Sequence, residues 1–349
     1  MSWESNVRKV VPYVAGEQPS GKVIKLNTNE NPYAPAPGVE EVLKNTDISL
    51  LRKYPDMNSG LIVNALAEKY RVKPSQVFVG VGSDDVLAMA FLTFFNSGKK
   101  ILFPDITYSF YDVWADLFGI PYEQIPLDDD FVIHPEDYGK ENGGVIFPNP
   151  NAPTGVAMDL TGVKQILDLN RDVVCIVDEA YVDFGTKSAL ELLPEYDNLL
   201  VVQTFSKSRS MAGMRIGYAI GNEKLISYLQ DVKFSFNSYT MNTVTLAAGA
   251  EAVRDDEYFK KSCEKIIKTR EKLKKDLKEL GFAFSDSKAN FIFATHPAVY
   301  AEKIYNELKK RNIYVRYFKK PRIDNYLRIT VGTDEECDEL VRNLREITA

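Results

Sequence analysis

From Ser75 onwards, short unbroken apolar runs alternate with stretches whose apolar residues recur at helical spacing. QVFVGVG (76–82) leads into SDDVLAMAFLTFF, and KKILFPD leads into SFYDVWADLFG. GGVIFPNP, VVCIVDEAY, LLVVQTFSK and RIGYAIG continue the series. Unbroken apolar runs of this length read as strands buried on both faces. Strands alternating with helices predict an α/β sheet, largely parallel, with helices on both sides. In such sheets ligands collect beyond the carboxyl ends of the strands. GVGSDD, PNPNAPTG, DEAY and TFSK each follow an apolar run, so these polar clusters are expected at that edge.

The pattern changes after residue 253. RDDEYFKKSCEKIIKTREKLKKDLKEL (254–280) predicts one long amphipathic helix closed by Gly281. A strand-like NFIFAT, a helix over AVYAEKIYNELKKRN, the runs IYVRYF and YLRITVG, and a last helix capped near Thr333 and Asp334 predict a smaller α/β unit. The first thirty residues are polar and proline-dotted, the pattern of an arm. The expected division is an N-terminal arm (1–30), a large domain (31–253) and a small C-terminal domain (254–349) opened by the linking helix 254–280.

Composition narrows the function classes. The chain has 349 residues, 45% hydrophobic and 26% charged, enough for a sizeable core. Its net charge of -6 comes with no basic block, so no nucleic-acid partner is expected. Cys175, Cys263 and Cys337 form no CxxC pair, which argues against disulfides and thiolate metal sites, and Cys175 sits in an apolar run. The opening MSWESNVRK lacks an apolar signal core, and no run reaches membrane-span length, so the expected setting is the reducing cytoplasm. His134 and His296 stand alone, which disfavours a histidine metal site or a Ser-His-Asp triad. A ligand-sensing regulator is disfavoured by the lack of a basic N-terminal segment.

The polar clusters carry the candidate chemistry. In GVGSDDVL (80–87), a glycine turn opens a helix with Ser83 at its cap, a setting for an anion. Asp85 stands where the dinucleotide fingerprint has its third glycine, and SGKV and SGKK lack the P-loop hydroxyl; a dehydrogenase and an ATPase are both disfavoured. Asp178 ends an apolar run, where a buried carboxylate needs a cationic partner. PNPNAPTG (148–155) is a proline-fixed turn that could aim the Asn151 amide at a ligand. Lys207 follows another apolar run; desolvated and near a second cation, its amine becomes a nucleophile toward carbonyls, and Arg215 could grip a phosphate. Each cluster alone also reads as a capped helix, a surface acid, a rigid turn or a solvated lysine. Together they ask for a ligand with a phosphate, a cationic ring nitrogen, a ring oxygen and an aldehyde. Pyridoxal 5′-phosphate has all four.

With those residues in view, the chain resembles the fold-type I pyridoxal-phosphate enzymes of the class I/II aminotransferase family. The resemblance rests on KLNTNENPY (25–33), KYP (53–55), PDITYSFY (104–111), NPNAPTG, DEAYVDF, TFSKSRSMAGMRIGYAIG (204–221) and YLRITVGT (326–333), and it spans nearly the whole chain. It implies a large domain with a mostly parallel seven-stranded sheet and a smaller α/β C-terminal domain. Lys207 would carry the cofactor as a Schiff base, Asp178 would face the pyridine nitrogen, and Asn151 and Tyr181 would meet the ring oxygen. Tyr108 would stack on the ring. Ser83, Asp84, Ser206 and Arg215 would hold the phosphate. Tyr54 would reach that phosphate from a second subunit, implying a homodimer. Arg316 and Arg328 would bind the acidic group of the substrate, helped by Tyr13. Arg322, between them, reads as a solvated loop charge.

The implied reaction moves an amino group between glutamate/2-oxoglutarate and a phosphorylated amino alcohol, histidinol phosphate, in histidine biosynthesis, with ping-pong kinetics. Aromatic or other amino acids as substrates, or a threonine-phosphate-type decarboxylation, are the alternatives on the same fold.

Overall fold

The computed structural model describes residues 3–349. Twelve strands form two sheets. The larger sheet takes β2 (Val77–Gly80), β3 (Ile101–Pro104), β4 (Tyr122–Ile125), β5 (Val145–Pro148), β6 (Cys175–Asp178), β7 (Leu199–Thr204) and β8 (Gly217–Gly221). The smaller takes β1 (Ile24–Leu26), β9 (Ala283–Phe284), β10 (Phe291–Thr295), β11 (Ile313–Tyr317) and β12 (Leu327–Thr330). Among the described residues ten α-helices surround them: α1 (Pro37–Lys44), α2 (Gly60–Tyr70), α3 (Ser83–Phe94), α4 (Tyr111–Phe118), α5 (Leu160–Leu169), α6 (Glu223–Phe236), α7 (Thr243–Arg254), α8 (Asp256–Glu279), α9 (Ala301–Lys310) and α10 (Asp334–Thr348).

The larger sheet runs β2-β8-β7-β6-β5-β3-β4, parallel except for β8, which is antiparallel to both neighbours. Every residue of β5, β6 and β7 is buried, which is why these strands read as unbroken apolar runs. Alternate residues serve opposite faces. Val145, Phe147, Cys175, Val177, Leu199 and Val201 pack with α5 on one side. Ile146, Ile176, Leu200 and Val202 pack with α3, α4 and α6 on the other. β4 carries polar residues at the sheet edge (YEQI), so the apolar pattern passed over it.

The helix expected over 254–280 is α8, which starts two residues later, at Asp256, and ends at Glu279. Arg254 closes α7, and Asp255 turns the chain and caps α8 by accepting a hydrogen bond from the Tyr258 amide. The side chain competes there with the helical backbone bond, which apolar spacing does not register. α8 ends before Gly281, whose φ is +85°. The smaller sheet runs β1-β11-β12-β10-β9. Its β1 lies within the stretch expected as an arm and pairs in parallel with β11, Leu26 opposite Val315. Thr333 caps α10 in a reciprocal box with Glu336. The carboxyl ends of β2, β6 and β7 therefore face a wall formed by residues 27–31, after β1, and by β11 and β12.

Candidate active site

The turn from β2 into α3 builds one end of the site. Gly82 has φ +85° and takes the cap position, so Ser83 is the first helical residue rather than the cap expected from sequence. A side chain at Gly217 would lie 2.2 Å from Gly82 C, which is how closely β8 approaches this turn. Arg215, two residues before β8 and itself left-handed (φ 53°), lays its guanidinium against Gly82 and sits 3.4 Å from Asp84 Oδ2. Ser83, Asp84, Thr204, Ser206 and Arg215 line one end of a cavity of about 170 Å³. Open amides at a helix start, hydroxyls and a guanidinium make an anion cradle.

Asp178 and Lys207 line the same cavity. Asp178 ends β6 and is 5% exposed. Its Oδ2 accepts a hydrogen bond from Tyr111 Oη (2.8 Å) and its Oδ1 one from the Ala180 amide (3.2 Å). Neither partner is charged, and burial pushes the carboxyl up to about 6. Lys207, half-buried, donates from Nζ to the Thr28 carbonyl at 3.1 Å. Burial first, and then the Arg328 charge, bring its amine down to about 8. Tyr108 also lines the cavity and donates to Asp84 Oδ1 at 2.7 Å.

Tyr181 lies beside them, its hydroxyl accepting from Asn29 Nδ2 at 2.9 Å. Asn29, left-handed at φ 56°, is anchored by Thr330 of β12 through its amide and its Oδ1. Asn31 Nδ2 holds the carbonyls of Lys207 (3.1 Å) and Ser208 (3.2 Å). Asn29, Asn31 and Tyr111 are site residues that sequence reasoning left unassigned. The signal was there: a run of amides before a proline, and a second tyrosine three residues after Tyr108.

Asn151 departs from expectation. Its Nδ2 is taken by the Ile106 carbonyl and Thr154 Oγ1, and its Oδ1 accepts from Thr107 Oγ1. The amide orders its own turn, and Ala152 is the residue of that turn that lines the cavity. Tyr54, expected to serve a second subunit, is 83% exposed, with its ring 4.7 Å from that of Tyr239.

A second cavity, of about 140 Å³, shares Thr28, Tyr108, Ala152, Tyr181 and Lys207 with the first and adds Tyr13, Arg316, Phe318 and Arg328. The β11–β12 register sets Arg316 directly opposite Arg328. Like charges facing each other across strands are destabilising without an anion between them. Burial and Arg316 both lower the Arg328 pKa. Arg328 Nη2 donates to the Asn27 carbonyl (3.0 Å), while its buried Nε has no partner. Arg316 donates to the carbonyls of Val14 and Ala15, and Tyr13 stacks on Phe110 at 4.2 Å. Arg322 is exposed, as expected of a loop charge, but it is not unpaired: it pairs with Asp105 at 2.9 Å and donates to the carbonyls of Leu127 and Asp128.

A buried carboxyl lacking a cation, a desolvated amine and an anion cradle around one cavity suit a ring nitrogen, an aldehyde and a phosphate. Pyridoxal 5′-phosphate therefore fits the residues present.

Comparisons with known proteins agree with that chemistry. Residues 21–344 match the model of the family described as aminotransferase class I and II. The histidinol-phosphate aminotransferase of Clostridium acetobutylicum is 50% identical over 348 residues, 99% of each chain. Histidinol-phosphate aminotransferase 1 of Hydrogenovibrio crunogenus is 52% identical over 346 residues, 99% of this chain and 97% of that protein. The solved structure of histidinol-phosphate aminotransferase from Sinorhizobium meliloti in complex with pyridoxal-5′-phosphate superposes with a TM-score of 0.85 at 25% identity, covering 94% of this chain and 91% of that one. No helix among the described residues is long and apolar enough to cross a membrane.

Proposed function

The chain belongs to the class I and II aminotransferase family, and from that premise we propose that it moves the amino group of glutamate to imidazole-acetol phosphate, giving histidinol phosphate and 2-oxoglutarate in histidine biosynthesis. The observation that carries the substrate is the identity, near one half over almost the full length, to relatives named for histidinol phosphate. The facing guanidiniums of Arg316 and Arg328 support it, because a guanidinium fork accepts the glutamate carboxylate in one half-reaction and the substrate phosphate in the other.

Bound in the first cavity, pyridoxal 5′-phosphate supplies the aldehyde that takes up the amine and the ring that accepts the electron pair released at the substrate Cα. Ser83, Asp84, Ser206 and Arg215 would hold its phosphate, Lys207 its aldehyde carbon, and Asp178 its ring nitrogen. A protonated ring nitrogen is the cation that Asp178 lacks. Tyr181 receives its hydrogen bond from Asn29, which leaves its own proton free for the ring oxygen. Tyr108 would pack on the ring.

Lys207 lines both cavities, and its lowered pKa gives a neutral fraction near pH 7.5 that can take the proton from the substrate Cα and return it. Tyr13, stacked on Phe110, narrows the substrate mouth. The active form would be a cytoplasmic homodimer, with the exposed Tyr54 reaching the phosphate of the partner subunit. The domain division read from sequence is part of this proposal, with β1 assigned to the smaller unit.

Single-turnover mixing of the cofactor-loaded protein with histidinol phosphate, glutamate, phenylalanine and tyrosine tests the proposal. Histidinol phosphate and glutamate should each bleach the cofactor band quickly, and Lys207→Ala should abolish that band. A phenylalanine rate equal to that of histidinol phosphate would overturn the substrate assignment.

A further inference from the structure

Lys233 is the one lysine on the buried stripe of α6, which runs Ile226, Leu229, Lys233. It is 3% exposed, an unusual place for an ammonium. Its Nζ donates to the Val79 carbonyl at 3.0 Å and lies 5.4 Å from the centre of the Phe78 ring. No carboxylate among the described residues forms an ion pair with it. Burial lowers its pKa, while the fields of Asp85 and Asp56 oppose that. Helix amphipathicity alone would place a leucine or methionine here, and a buried charge left short of a partner is costly.

What Lys233 touches is the root of the anion cradle. β2 is the outermost strand of its sheet, so one of its backbone rows has no strand partner. Val79 in that strand is followed by Gly80-Val81-Gly82-Ser83. From the far side of the turn, Asp85 Oδ2 accepts the Val81 amide at 2.9 Å. Lys233 and Asp85 thus hold the turn at two points on either side of Gly80, Val79 O and Val81 N, shortly before the amides at the start of α3. A cation behind those amides also adds to the positive potential an anion meets there.

We infer that Lys233 is a positioning residue for the phosphate end of the site: from α6 it fixes the β2 edge and backs the Gly80–Asp84 turn with positive charge, so that cofactor affinity gained through the phosphate depends on it. This rests on the reading of the first cavity as the pyridoxal 5′-phosphate site. Lys233 lines neither the first nor the second cavity.

The test separates the phosphate from the rest of the cofactor. Cofactor-free wild type, Lys233→Met and Lys233→Arg are titrated with pyridoxal 5′-phosphate and, separately, with pyridoxal, following the absorbance of the bound chromophore. Lys233→Met should raise the Kd for pyridoxal 5′-phosphate about tenfold and that for pyridoxal less than about twofold, the scale of losing a support behind a liganding group. Lys233→Arg, which keeps the charge and a donor, should recover most of the loss. If the methionine variant does not fold, Lys233→Gln keeps a donor for Val79 O without the charge, and the same selective loss is expected. Equal losses for both compounds would mean a general structural role and overturn the inference, as would no loss for either. A wild-type protein that binds neither compound would overturn the site reading itself, whereas wild-type binding with an indifferent Lys233→Met overturns this inference alone.

Discussion

The floor of the site and its mouth handle charge in opposite ways. On the floor, Asp178 and Lys207 stand at or just past strand ends, the first buried and the second half-buried, with neutral hydrogen-bond partners only: a tyrosine hydroxyl, a backbone amide and a backbone carbonyl. Both pKa values move toward the neutral form. At the mouth, Arg316 and Arg328 face each other and rest on carbonyls of the arm and of Asn27. The floor is short of an opposite charge that a resident cofactor brings permanently. The mouth is short of an anion that comes and goes with each half-reaction. Substitutions on the floor should therefore remove chemistry, and substitutions at the mouth should change which substrates bind and how well.

Asp178→Asn should have the largest effect. Transamination should fall on the order of 10²- to 10³-fold, the scale of removing one preorganised group from a buried site. Stability of the cofactor-free protein should move the other way. Folding raises this carboxyl from 3.8 to about 6, so between those values the folded state holds a proton that the unfolded chain releases. Its contribution is fully present below pH 3.8, declines as pH rises and is lost above about 6. Asparagine cannot ionise, so the variant should gain on wild type across that window, by roughly 2 kcal/mol at pH 7 relative to pH 4. Urea unfolding of both proteins at pH 5 and pH 7 measures this. A constant difference would mean the floor is not short of a cation, and the contrast with the mouth would fail.

Arg328→Ala should be milder and of another kind. KM for glutamate and for histidinol phosphate should rise about 10- to 100-fold, the scale of one charge-assisted contact to an anion. The fall in kcat should be small. Floor and mouth do communicate at one point: the Arg328 charge helps to lower the Lys207 pKa. Removing it should raise that pKa, so the acidic limb of the rate should move to higher pH. The pH profile of kcat in the variant checks this, and an unmoved limb would make the two regions electrically independent.

The same contrast explains what the sequence disclosed. Floor residues end buried strands, so an unbroken apolar run announces them: VVCIVD ends on Asp178 and LLVVQTFSK on Lys207. Mouth residues are set by pairing between distant segments. That Arg316 faces Arg328 depends on β11–β12 register, and that Lys207 meets Thr28 depends on residues 179 positions apart. Spacing along the chain carries neither fact. Asn151 shows a subtler limit, since its turn was legible but the direction of one amide within it was not. Lys233 was invisible because a lysine in an amphipathic helix reads as solvated until the buried stripe is known.

Arg322 gives the smallest expected effect and the sharpest test of the mouth as an adjustable wall. Its loop joins β11 to β12, the two strands that carry Arg316 and Arg328. The guanidinium fastens that loop to Asp105 after β3 and to the carbonyls of Leu127 and Asp128 beyond β4. Asp105 is in turn fixed by the Leu127 amide at 3.0 Å, and Thr107 and Tyr108, which line the second cavity, follow two and three residues on. The clasp thus ties the five-stranded unit, with both mouth arginines, to the edge of the seven-stranded one. The ion pair is partly solvated, so Arg322→Ala should cost only about 1 kcal/mol of stability. Loosening the wall should raise KM for both substrates a few-fold while leaving the cofactor absorbance, a floor property, as it is. Steady-state kinetics beside an absorbance titration read the two separately. A cofactor titration that shifts with KM would show that the clasp supports floor and mouth as one body.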